Sequence, residues 1–186
     1  MRVIAGTARS FKLVTPEGLD TRPTTDRIKE TLFNMIQFDI PGAAFLDLFA
    51  GSGGIGIEAL SRGAREAVFV DNGKEACSCI EQNLKHTKME DLATVLKQDA
   101  FVAMTSLEYR KTFDIIFMDP PYHKDLARKV LEYLTVSSLA GPHTLIIFEE
   151  ALDADLSFLE DLPYEIVKIK QYKTNQHVLV KKENAT

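Results

Sequence analysis

Phe45-Leu46-Asp47-Leu48-Phe49-Ala50-Gly51-Ser52-Gly53-Gly54-Ile55-Gly56 decides how the rest of the chain is read. An apolar run broken by one carboxylate enters a glycine-rich turn, and the amphipathic Ile57 to Arg62 follows at once, which predicts strand, tight loop and helix. Glycines in that turn let the backbone take positive φ and let a ligand approach the main chain closely. The spacing Gly51-x-Gly53-x-x-Gly56 satisfies a dinucleotide fingerprint, so a nicotinamide-dependent oxidoreductase is one reading. Asp47, just ahead of the turn, favours another. A carboxylate there opposes a pyrophosphate, whereas it attracts the sulfonium and ammonium of S-adenosylmethionine.

Working outward, strand and helix signals alternate. Before the loop, Val3 to Ala5 and Phe11 to Val14 are short β-prone runs that predict a small hairpin or extended arm, and Thr15-Pro16-Glu17-Gly18 and Arg22-Pro23-Thr24 mark loop. Ile28, Leu32, Met35 and Ile36 make one apolar face of a helix capped by Asp26 and ended by Pro41-Gly42. After the loop, Gly63 stops the helix and Ala67 to Asp71 is a second strand. Asn72-x-x-Glu75 reads as a capping box for a helix carrying Ala76, Ile80 and Leu84 inward. Thr94 to Leu96 is a weak strand before Asp99, and Phe113 to Asp119 a strong one. A helix with Leu126, Val130, Tyr133 and Leu134 leads to a strand over Thr144 to Glu149. Tyr164 to Tyr172 and His177 to Lys182 alternate apolar and polar around Lys173-Thr174-Asn175, as an antiparallel hairpin does.

The expected fold is therefore α/β: a three-layer sandwich on a mostly parallel seven-stranded sheet, closed by a C-terminal antiparallel hairpin and preceded by a small N-terminal β-hairpin extension. Residues 1–22 form a basic arm and 23–186 one domain. Asp47, Asp71, Asp99 and Asp119 each stand at or just after the end of a strand. Open sheets bind ligands there, so the four acids are expected to share one crevice.

The composition, 45% hydrophobic and 26% charged over 186 residues, is that of a globular domain. No stretch is long and apolar enough to cross a bilayer and no secretory h-region opens the chain, so a cytoplasmic location is expected; a compact domain with no long exposed apolar stripe is expected to be a monomer. Cys77 and Cys79 lack a partner pair and read as packing residues. His86, His123, His143 and His177 are scattered and read as surface or loop residues, and no metal site is expected. A formal charge of −5 excludes coating nucleic acid by charge alone. Residues 1–34 nevertheless hold six basic side chains against four acidic ones, a local surplus that suits contact with a phosphate backbone.

Asp119-Pro120-Pro121-Tyr122 carries the chemistry. Two prolines directly after a strand stop the ladder and fix φ, so the Asp119 and Pro120 carbonyls are held in set directions. The exocyclic amine of a nucleobase is a poor nucleophile because its lone pair is delocalised into the ring. Accepting its two N–H groups on the Asp119 carboxylate and the Pro120 carbonyl aims that lone pair at an incoming methyl and stabilises the growing positive charge. Tyr122 offers a face for the base to stack on.

Asp47 to Gly56 and Asp119 to Tyr122 resemble the donor-binding and catalytic motifs of class I S-adenosylmethionine-dependent methyltransferases that act on amino groups of bases. Val3-Ile4-Ala5-Gly6, Arg22-Pro23-Thr24, Asp26-Arg27, Glu30, Leu32-Phe33-Asn34 and Glu58-Ala59-Leu60-Ser61-Arg62-Gly63-Ala64 are similar to the bacterial RsmD family, which methylates guanine N2 in 16S ribosomal RNA. The resemblance implies that Gly51 and Gly53 wrap the methionine part with Asp47 near its amino group. It implies that Asp71 takes the ribose, Asp99 with Ala100 the adenine, and Asp119, Pro120 and Tyr122 the guanine amine. Arg2, Arg9, Lys12, Arg22 and Arg27 would meet phosphates of 16S ribosomal RNA, free or within an assembling small subunit. Arg9-Ser10-Phe11-Lys12 departs from the family's Arg-Gly-Arg, and Tyr172-Lys173-Thr174 from its Tyr-Gly turn. Adenine-N6 methylation of DNA is the alternative activity, since the Asp-Pro-Pro-Tyr chemistry serves any exocyclic amine. A non-catalytic RNA assembly factor is the alternative outside enzymes.

Overall fold

Ala44-Phe45-Leu46-Asp47-Leu48 forms strand β1 (Ala44–Leu48), and every residue in it is buried. A strand covered on both faces has no side to show water, which is why it reads apolar rather than alternating. The structure, a computed structural model, describes residues 1–16, 26–121 and 125–183. Helix α1 (Asp26–Met35) precedes β1, and α2 (Gly54–Ser61), β2 (Glu66–Asp71), α3 (Lys74–Thr87) and β3 (Ala93–Lys97) follow it. The chain continues through α4 (Ala100–Leu107), β4 (Phe113–Met118), α5 (Leu126–Leu134), β5 (Ala140–Ala151), β6 (Tyr164–Gln171) and β7 (Asn175–Lys182).

The seven strands make one sheet in the order β3-β2-β1-β4-β5-β7-β6. The first five in that order are parallel, and β7 runs antiparallel between β5 and β6. The winding reverses between β1 and β4, so the loops leaving these two strands diverge and open a crevice at their carboxyl ends. On one face Phe45, Phe69, Phe117 and Ile147 pack with Leu32, Phe33, Ile57 and Ile80. On the other, Leu46, Val68, Ile116 and Phe148 pack with Met104, Val130 and Leu131. Cys77 and Cys79 are free and buried, as packing residues are.

Several elements differ from the sequence reading. The N-terminal hairpin reduces to one antiparallel bridge, Arg2 to Lys12, and the segment is held against the domain instead. Glu58, fully buried, accepts the N–H groups of Ile4 at 2.8 Å and Ala5 at 3.0 Å and Arg62 Nε at 2.8 Å. Its remaining partner is Lys29, also fully buried, whose Nζ lies 3.3 Å from Glu58 and donates to the Arg2 carbonyl at 2.6 Å. Burial pulls the Lys29 pKa down and the Glu58 charge opposes this, the expected balance for a cation kept in a core by its counter-ion. α1 ends at Met35, ahead of Pro41. The capping box fails: α3 is capped by Gly73 with no side-chain bond, because the Asp71 carboxylate takes the Gly73 N–H. α4 was not foreseen. Its sequence, AFVAMTSL, is apolar on nearly every side and shows no helical stripe.

Candidate active site

The loops at the carboxyl ends of the parallel strands enclose a cavity of about 1540 Å³. Single small-molecule pockets are typically about 300–1,000 Å³, so this one has room for two ligands. Asp47, Gly51, Asp71, Asp99, Ala100, Asp119 and Pro120 all line it, which puts the four strand-end acids on one crevice.

The glycine loop is fastened from two sides. Gly51, at φ +56°, donates its N–H to Asp71 Oδ2 at 2.9 Å, while Gly73 N–H donates to Asp71 Oδ1 at 2.8 Å, so one carboxylate ties the loop after β1 to the loop after β2. A Cβ on Gly51 would meet nothing within 4 Å. Asp47 lies beneath the loop rather than at its mouth: it is 1% exposed and its Oδ2 accepts Gly56 N–H at 2.9 Å. Burial, with the charges of Asp119 and Asp71, pushes its carboxyl well above the ordinary range against that hydrogen bond. A Cβ on Gly56 would stand 2.3 Å from the Phe69 ring, so glycine is what lets α2 come down on β2. Gly53 does not line the cavity; at φ +76° it turns the chain into α2. Phe49, which does line it, holds φ +60°, a costly conformation for an aromatic residue and one with no mark in the sequence. Asp99 caps α4, its Oδ1 accepting from Phe101 N–H at 2.9 Å and Val102 N–H at 3.3 Å.

Across the crevice, Asp119 follows β4, and the register Met118 to Phe148 brings Glu149 of β5 alongside it. Burial, with the charges of Glu149 and Glu150, pushes the Asp119 carboxyl up to about 8. Glu149 heads a buried chain of polar groups: its Oε1 accepts Asn175 Nδ2 at 2.6 Å, its Oε2 lies 3.2 Å from His177 Nε2, and His177 Nδ1 lies 3.1 Å from the Tyr172 hydroxyl. All contacts are satisfied when Tyr172 donates to Nδ1 and Nε2–H donates to Glu149. Burial and Glu149 push the Tyr172 hydroxyl up to about 12, which keeps it a donor. His177 is thus fully buried, a correction to its reading as a surface or loop residue, because β7 is an interior strand covered on both faces.

Glu149, Asn175 and Tyr172 line the cavity and were not among the sequence-derived site residues. For Glu149 the signal was present: it is an acid at the end of an apolar strand, as Asp119 is. Arg27, Lys29, Lys74, Lys170 and Lys173 line the cavity, and the last two come from the C-terminal hairpin, not the basic arm. Arg9 and Lys12 are exposed on the N-terminal segment, and Arg2 pairs with Asp26 at 3.1 Å; none of the three lines the cavity. Arg22 and Tyr122 lie outside the described residues.

A family model described as conserved hypothetical protein 95 matches residues 1–181. YlbH of Bacillus subtilis is 40% identical over 157 residues, 84% of this chain and 85% of that protein. Ribosomal RNA small subunit methyltransferase D of Haemophilus influenzae is 36% identical over 157 residues, 84% of this chain and 81% of that protein. The solved structure of yhhF from Escherichia coli superposes with a TM-score of 0.85 at 30% identity, covering 100% of this chain and 99% of that one. Ribosomal protein L11 methylase from Lactobacillus delbrueckii, at 16% identity and a TM-score of 0.67 over 84% of this chain and 80% of that one, shares the fold.

Proposed function

We propose a function from one premise, that this chain belongs to the RsmD family, conserved hypothetical protein 95: it transfers a methyl group from S-adenosylmethionine to the N2 amine of a guanine in small-subunit ribosomal RNA. The observation that carries the reading is the single cavity of about 1540 Å³ shared by the glycine loop and the Asp119-Pro120 turn. The relatives from Haemophilus influenzae and Escherichia coli named ribosomal RNA small subunit methyltransferase D support the choice of RNA.

The residues fit the donor. The open space beside Gly51 leaves room for a group pressed against the backbone, the acids suit its cationic end, and Asp71 and Asp99, on the same cavity, are acceptors suited to its hydroxyls and exocyclic amine. When bound, S-adenosylmethionine supplies a methyl already activated on sulfonium, so the protein needs no covalent intermediate of its own. Asp47 supports the loop from below through Gly56, and Asp71 sets its position through Gly51. Asp119 and the Pro120 carbonyl accept the amine hydrogens, and Asp119 takes the proton that nitrogen sheds as its new N–C bond forms and the methyl's bond to sulfur breaks, with a neutral thioether as the leaving group. Tyr122 stacks on the base. Arg27, Lys170 and Lys173 at the cavity, with Arg2, Arg9, Lys12 and Arg22 on the arm, hold phosphates of an RNA whose target base is turned out of its stack. The protein works as a monomer in the cytoplasm.

Methylation assays with free 16S RNA, assembled small subunits and duplex DNA test this, with the product base identified by mass spectrometry. N2-methylguanine in RNA is the expected product; methyl groups found only in DNA adenine would overturn the reading.

A further inference from the structure

We propose that Glu149 reads the target base as guanine by accepting its N1–H, while Asp119 and Pro120 hold the adjacent amine; this rests on the methyl-transfer reading above. Guanine presents its exocyclic amine next to a ring N–H, two donors side by side. Adenine presents its amine next to a ring lone pair. The protein sets two carboxylates side by side in the same cavity, Asp119 after β4 and Glu149 on β5 in adjacent register. Asp119 alone serves any aromatic amine. A second acceptor fixed beside it serves guanine and repels the adenine lone pair.

The surroundings of Glu149 are those of a fixed reader. Asn175 at 2.6 Å and His177 at 3.2 Å orient its two oxygens, and Tyr172 at 3.1 Å orients His177 in turn. These donors hold the carboxylate in one orientation beside Asp119. Asn175, 6% exposed and on the same cavity wall, gives its Nδ2 to Glu149, and its Oδ1 has no hydrogen-bond partner among the described residues. A site built around a buried acceptor discriminates strongly, because the wrong ligand leaves it unpaired.

The test first maps the methylated guanosine, then uses small subunits assembled on 16S RNA ligated to carry guanosine or 2,6-diaminopurine ribonucleoside at that position. Diaminopurine keeps the 2-amino group but turns N1 from donor to acceptor. Its change at C6 is common to every enzyme compared and cancels. The wild type should prefer guanosine by at least about 100-fold in kcat/KM. In Glu149→Gln and Glu149→Ala the preference should fall within about threefold of unity or invert. Thermal unfolding verifies that each variant is folded, and where a variant turns over too slowly, the ratio of Kd values for the two RNAs is read instead. Wild-type preference retained by both variants, or no preference in the wild type, overturns the proposal. A mapped base other than guanine overturns the functional reading itself, and is seen before any variant is made.

Discussion

Replacing Asp119 by Ala removes the acceptor that meets the amine, and replacing it by Asn removes the charge and the base while leaving an acceptor; in each kcat should fall by about 10²–10³-fold, as when one electrostatic contact to a developing charge is lost. The pH dependence has a definite sign. The Asp119 carboxyl is pushed from an ordinary 3.8 up to about 8, so the free enzyme gains its ionised form only as pH rises through that value. Thus kcat/KM should climb through about pH 8 and level off about one unit above it, with Asp119→Asn lacking the climb. Stability moves the other way. Between pH 4 and 8 the folded state keeps a proton that the unfolded chain has released, so this group's contribution falls as pH rises through the window. Thermal unfolding across pH should show Asp119→Asn gaining on the wild type toward pH 8, with the gap closing near pH 4. Asp119 could be read from the sequence because two prolines follow it. Glu149 carried the same strand-end position without them, and its partners Asn175 and His177 are remote in sequence and meet it only through the β5–β7 pairing.

The elements recovered most fully from sequence are those whose environment is simplest. β1 and β4 are covered on both faces and read as apolar runs, whereas β3, at the sheet edge and only half-buried, left a faint trace. The N-terminal segment was legible as charged and β-prone but not as docked, because what holds it is a fully buried carboxylate on α2 and a fully buried lysine on α1. No local pattern announces a core lysine. Glu58→Ala should cost about 3–5 kcal/mol, because it strands Lys29 and two backbone N–H groups without their acceptor. Urea denaturation measures the loss, and hydrogen exchange at Ile4 and Ala5 should rise well before global unfolding. The double variant Lys29→Met, Glu58→Leu should recover part of it, since the fully buried lysine charge leaves with its counter-ion and only Arg62, at the edge of the core, loses a partner.

At the scale of the whole molecule, donor affinity and fold stability are linked. Saturation with S-adenosylmethionine at about 100 times Kd adds about 2.7 kcal/mol. For a chain of this size that raises Tm by about 5–10 °C. A thermal-shift comparison should show the rise with S-adenosylmethionine and none with NAD; the opposite result would restore the oxidoreductase reading of the glycine spacing. The alternation of β and α units with a closing hairpin was open to inference, and the convergence of four acids followed from it. The hairpin's lysines at the cavity did not, because their proximity depends on the strand order β5-β7-β6. That order also bears on how the protein is made. β7 is synthesised after β6 yet lies between it and β5, so a nascent chain emerging from the ribosome carries β6 with no neighbour to pair with. Until residues 175–182 emerge, Glu149 has neither Asn175 nor His177 to hold it, and the catalyst is assembled in a single late step. A truncated product of interrupted translation would therefore not acquire a working site.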